Sequence, residues 1–209
     1  MLFNNWKENL EPIIKKYKSK KHPLLYQNLY QLLIMVILSA QDSDTNINKV
    51  TIPFFKKYPN IDSLSKSSIE EITTYISKVK NFKSKANWML ETATILKSNE
   101  NIPNKLKDLI NLKGIGRKSA NVILRENKMQ AEGIIVDLHV IRVVSRIGLT
   151  PKYKNGNKIE KILMQELPYE IWNDIGMAFS FLGREICRPI NPKCNLCPIN
   201  IHCEYYNNH

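Results

Sequence analysis

Three observations predict an all-α fold of about ten helices, ending in a cysteine-bearing loop. Apolar residues recur at steps of three and four, at Leu24, Leu25, Leu29, Leu32, Leu33, Val36 and Ile37, then at Trp88, Leu90, Ala93 and Leu96. Ser68 and Glu71 stand three apart just before Ile72 and Ile76, the pattern of a capping box. No Asn-Gly or Gly-Gly pair separates two alternating runs; the one candidate turn, Lys154-Asn155-Gly156-Asn157, sits between helical patterns.

Composition narrows the class further. With 209 residues, 43% hydrophobic and 24% charged, the chain is long enough for a real core and is neither collagen-like nor disordered. Its longest apolar stretch, Leu32 to Leu38, falls far short of the roughly 20 residues a spanning helix needs. The N-terminus carries Glu8 and Glu11 and no apolar run before a cleavage site, so the expected address is the cytosol or the nucleoid. Lys+Arg 31 against Asp+Glu 19 gives +12, which suggests a polyanionic partner. Lysine, asparagine and isoleucine are all abundant and all have A/T-rich codons, so part of that charge is ascribed to genome composition.

One segment breaks the helical monotony. Residues 105–125 read as two amphipathic helices, Lys105 to Asn111 and Arg117 to Arg125, joined by Leu112-Lys113-Gly114-Ile115-Gly116. Two of only seven glycines stand in this turn. Glycine allows positive φ and leaves peptide N–H groups unshielded, so Gly114 and Gly116 can offer them to a phosphate at the next helix's start. Arg117 and Lys118 add charge beside the same spot. Such a contact positions a duplex without reading its bases. A dinucleotide-binding turn is excluded, because no strand precedes it and no third glycine follows at the required spacing.

All four cysteines, Cys187, Cys194, Cys197 and Cys203, lie in the last 23 residues as C-x6-C-x2-C-x5-C. A disulfide scaffold belongs with shorter, secreted, core-poor chains. Pro189, Pro192 and Pro198 keep the segment a loop that can wrap an ion or cluster. Two close pairs, usual for zinc, are missing, which puts an iron–sulfur loop ahead of tetrahedral zinc and leaves zinc open.

Four blocks together resemble the endonuclease III family of DNA glycosylases. Leu112 to Val122 looks like its helix–hairpin–helix, and Val136-Asp137-Leu138-His139-Val140-Ile141-Arg142-Val143 like the segment that follows it. Leu38-Ser39-Ala40-Gln41, with Asp44 and Asn48-Lys49, matches its early helix and loop, and the cysteine spacing matches its iron–sulfur loop. The blocks keep the family's order across residues 32 to 203.

The resemblance implies a bifunctional glycosylase/AP lyase of base-excision repair, acting as a monomer on double-stranded DNA that holds a damaged pyrimidine or an abasic site, with no membrane partner. Lys118 is then the nucleophile: positive neighbours and partial desolvation are expected to free its amine for attack at C1′. Asp137 is the catalytic carboxylate and also a candidate helix cap. His139 is expected to bond backbone or phosphate. A base inside a duplex has to be flipped out, and Gln41 is assigned to the vacated stack. Arg117, Gly114 and Gly116 contact phosphate, and the four cysteines hold a [4Fe-4S] cluster that orders the loop so that Arg188 and Lys193 face DNA.

The chain departs from the family at its second wedge, where Gly-Leu is replaced by Lys80-Asn81. Either Phe82 or Val79 takes the role or the opposite-strand contacts differ, with Asn81 and Phe82 counted among the DNA-binding residues and Lys80, Lys83 and Lys85 as positive charge on the same loop. The implied architecture is two lobes: a six-helix lobe over residues 21–130, and a second of residues 1–20 plus 131–209 carrying the cluster loop at 187–203. DNA is expected to lie across the groove between them. Lys118 argues against an adenine-mismatch glycosylase, which lacks this amine; Lys118 and Asp137 together argue against a non-catalytic, zinc-bearing DNA-binding module.

Overall fold

The computed structural model describes Asn5 and residues 9–208. The rest of the chain, which falls in the expected second lobe, lies outside the described residues. Among the described residues there are twelve α-helices, four single 3-10 turns and no strand. The helix count exceeds expectation because several helices are only one turn long. By its contacts the chain divides into two compact units, Lys21–Met129 and Met1–Lys20 with Gln130–His209. The first described helix, α1 (Glu11–Tyr17), belongs to the second of these.

The unit Lys21–Met129 is built around α2 (Leu29–Ser39). Leu32 to Leu38 are each at most 3% exposed. A helix apolar on all sides needs neighbours on all sides, and α2 has them in α3 (Asp44–Lys57), α6 (Phe82–Leu96) and α8 (Arg117–Glu126). Each such side chain contributes about 1.5–3 kcal/mol by leaving water. The Asn28 side chain accepts from Gln31 N and starts the helix there. Leu25, expected in the same stripe, is therefore outside the helix and 73% exposed.

Between α3 and α6 the chain makes two short helices, α4 (Ile61–Ser65) and α5 (Ile69–Ile76). Each opens with a capping box, Asn60 with Ser63 and the expected Ser68 with Glu71. The caps split one apolar run in two, so with the single turn α7 (Leu106–Leu109) this unit has seven α-helices rather than six.

In the other unit α9 (Leu138–Arg146), α10 (Gly156–Glu166) and α12 (Glu204–Asn207) accompany α1 and a buried spine, α11 (Trp172–Glu185). The expected turn at residues 154–157 is where Asn155 caps α10, accepting from Asn157 N and Lys158 N. α11 packs on α9 and α1. Gly183 permits the first contact, because a Cβ there would stand 2.8 Å from His139 Cβ. Among the described residues no helix is long and apolar enough to cross a membrane.

Candidate active site

The helix–hairpin–helix forms as expected in the turn, although its first helix is shortened to α7. Leu112 and Ile115 are buried and anchor the loop. Gly114 adopts φ +81° against Trp88, a place where a Cβ would lie 2.8 Å from the indole. Gly116 differs from expectation: it is extended at φ −94°, so positive φ is not its reason for being glycine. It is the N-cap of α8, brings no capping side chain, and has open space where a Cβ would go. Arg117 and Lys118 are the first two residues of α8, at the positive end of its peptide dipoles. Lys118 is exposed, contrary to the partial desolvation expected of it. Its place in the first turn of α8 leaves the side chain on the surface.

Asp137 is the N-cap of α9. Its Oδ1 accepts from His139 N at 2.8 Å and Val140 N at 2.9 Å. Its Oδ2 accepts from the Ser180 hydroxyl at 2.6 Å. Ser180, buried in α11, gave no sign in the sequence, since 43 positions separate the pair. His139 has a partner the sequence did not suggest: its Nδ1 lies 3.2 Å from Arg142 Nη2. Arg142 also donates to Gly183 O at 2.8 Å and Cys187 O at 3.0 Å, tying α9 to the start of the cysteine loop.

The four cysteines are free thiols that line one pocket with Ile147, Leu182, Ile186, Asn200, Tyr205 and Tyr206. Burial pushes the Cys197 thiol up to about 11 and raises Cys203 as well, while backbone N–H groups of Ile199, Tyr205 and Tyr206 pull the other way. Arg146 Nη1 donates to Cys187 Sγ at 3.5 Å and Arg188 O at 2.7 Å, and its guanidinium lies over Tyr205. Among the described residues no three His, Cys, Asp or Glu side chains stand close enough to hold a single metal ion. Sulfur-only donors in an apolar pocket fit an iron–sulfur centre. Arg188 and Lys193 are exposed on this loop.

Gln41 and Asn81 are both exposed and both left-handed, at φ 60° and 57°. Asn81 is the N-cap of α6, and Phe82, its first residue, is half-buried. Val79 is 2% exposed, packed inside as the last apolar residue before the tip, which removes it as a wedge. Lys80 and Lys83 are exposed, but Lys85 is 1% exposed and does not belong to the surface charge.

Fold and hairpin define a helix–hairpin–helix repair protein: the family described as HhH-GPD superfamily base excision DNA repair protein matches residues 34–169. Endonuclease III of Rickettsia felis is 38% identical over 199 residues, covering 92% of this chain and 91% of the relative. Endonuclease III of Escherichia coli is 32% identical over 206 residues, covering 96% and 97%. A solved endonuclease III–DNA covalent intermediate superposes with TM-score 0.85 at 30% identity, over 96% of this chain and 94% of that one. The chain belongs to the endonuclease III family.

Proposed function

We propose that this chain excises oxidised pyrimidines from duplex DNA through a Schiff base on Lys118 and then cleaves the abasic strand. As a member of its family it is a DNA glycosylase of base-excision repair with AP lyase activity. The observation that carries the residue assignment is the position of Lys118, second in α8 and directly after the Gly114–Gly116 turn. A strand phosphate resting on that turn brings the neighbouring deoxyribose to the amine.

The neutral Lys118 amine attacks C1′ and displaces the base with the bonding electron pair, which leaves with a proton. Loss of the amine proton and opening of the sugar give an iminium. The iminium acidifies the C2′ proton; its loss expels the 3′ phosphate by β-elimination. Asp137, with both oxygens held, supplies a fixed carboxylate to offset positive charge on the sugar or to receive the amine proton. Gly114, Gly116 and Arg117 position phosphate, Gln41 fills the vacated stack, and Asn81 with Phe82 supports the opposite strand. His139, bonded to Arg142, is placed to hold the start of α9 rather than to move protons.

Cys187, Cys194, Cys197 and Cys203 are the residues that would hold a [4Fe-4S] cluster, whose contribution is to order the loop, since base excision transfers no electrons. The substrate is double-stranded DNA with a damaged pyrimidine or abasic site, met in the nucleoid by a monomer.

Borohydride trapping on abasic or thymine-glycol duplexes tests this reading. Wild type forms a covalent adduct and Lys118→Ala forms none; an adduct with Lys118→Ala would show that another amine attacks.

A further inference from the structure

Lys85 is the one described lysine whose side chain is fully buried, and its ammonium is spent on backbone. Its Nζ donates to Leu38 O at 2.6 Å and Ala40 O at 2.7 Å, the carbonyls that end α2 immediately before Gln41. Terminal carbonyls of a helix have no partner within it, and they carry the negative end of its dipole. The same residue's backbone N donates to Asn81 O at 3.2 Å. One residue is thus bonded beside both left-handed tips, Gln41 through Ala40 and Asn81 directly.

Asp42 closes the arrangement from the other side. Its Oδ2 accepts from Lys80 N at 2.8 Å, one residue before Asn81. Its Oδ1 accepts from Ser43 N at 2.8 Å and Asn46 Nδ2 at 3.0 Å, and that same amide donates to Lys78 O at 3.1 Å. Burial works against the Lys85 charge, and Asp42 supports it. A left-handed conformation is uphill for any residue with a Cβ. At both tips the loop's own bond, Asp42 N to Ser39 O at 3.0 Å and Lys85 N to Asn81 O at 3.2 Å, is backed by bonds that run from one loop to the other.

We infer that Lys85 is a positioning residue for duplex invasion, fixing the spacing and aim of Gln41 and Asn81 so that both enter the base stack as one unit. The inference rests on the glycosylase reading and goes beyond it, because it makes the two tips a single rigid device with a buried ammonium at its centre. A lysine serving only the core would support folding without affecting one substrate more than another.

The discriminating comparison is between substrates that need invasion and one that does not. Lys85→Met keeps the stem and removes the ammonium; the full chain is assayed by borohydride trapping on duplex and on single-stranded abasic DNA. 2-Aminopurine beside the lesion reports unstacking in the duplex. The duplex-to-single-strand ratio is expected to fall about tenfold or more, with loss of the fluorescence rise. Equal loss on both substrates, or an unchanged fluorescence rise, overturns the inference. If Lys85→Met does not fold, Asp42→Ala decides it, since that side chain is partly exposed and its loss frees Lys80 from the Gln41 loop. The same selective fall supports the device, and no selectivity overturns it. Failure of the wild type to trap at all would instead sink the Schiff-base reading.

Discussion

The Ser180 hydroxyl donates to Oδ2 of Asp137 at 2.6 Å while the amides of His139 and Val140 hold Oδ1. The carboxylate is therefore fixed about its own axis as well as in position. This depends on the close approach of α11, since Gly183 lies one turn beyond Ser180 and against His139. Ser180→Ala keeps the N-cap bonds and frees one oxygen to rotate. Single-turnover excision is expected to slow by about tenfold, the scale of a modest loss of alignment. The lost bond to a charged group lowers stability by about 1–3 kcal/mol, read from urea unfolding. An unchanged rate would mean that capping alone aligns the carboxylate.

The two hairpin glycines are predicted to fail in different ways. Gly114→Ala puts a Cβ at φ +81° and 2.8 Å from Trp88 Cε3, so it should lower the melting temperature and disturb the turn together. Gly116→Ala meets nothing within 4 Å and sits at φ −94°. Its stability should stay within about 0.5 kcal/mol of wild type. What the added methyl crowds is the approach of a phosphate to the α8 amides, so affinity should fall equally for unrelated duplex sequences at one fixed salt concentration. Undiminished binding by Gly116→Ala would place the phosphate elsewhere.

Features set by neighbours in sequence were legible. The Ser68–Glu71 box, the Asp137 cap and the Gly114 turn each need only a few residues and a backbone preference. Periodicity gives a helix no start point, so Leu25 fits the apolar stripe although the Asn28 cap begins the helix after it. By charge alone Lys85 resembles Lys80 and Lys83, yet its spacing carries a usable signal. Counting along α6, Lys85, Met89, Thr92 and Leu96 fall at steps of four, three and four, all on the buried face. Ser180 on Asp137, and Arg142 and Arg146 on the cysteine loop, join positions more than 40 residues apart. No local pattern encodes such pairs, because they depend on which helix faces come to pack.

His22 gives the fold a predictable weakness in acid. Its Nδ1 accepts from Leu24 N at 3.2 Å, a bond only the unprotonated nitrogen can make. Burial lowers its pKa from 6.5 to about 4; Glu126 and Asp44 pull upward and Lys118 and Arg125 push down. Above pH 6.5 the ring is neutral in folded and unfolded chains alike, so it costs nothing. Between 6.5 and about 4 the unfolded chain takes up the proton and the folded one resists it. Stability is therefore lost as pH falls across that window, by up to about 3 kcal/mol. His22→Asn keeps an acceptor for Leu24 N and cannot be protonated there. Its urea-unfolding free energy should drop less than that of wild type between neutral pH and the acid end of the window. Subtracting one curve from the other removes the acid effects that the two proteins share. Parallel curves would show that the acid loss arises outside His22.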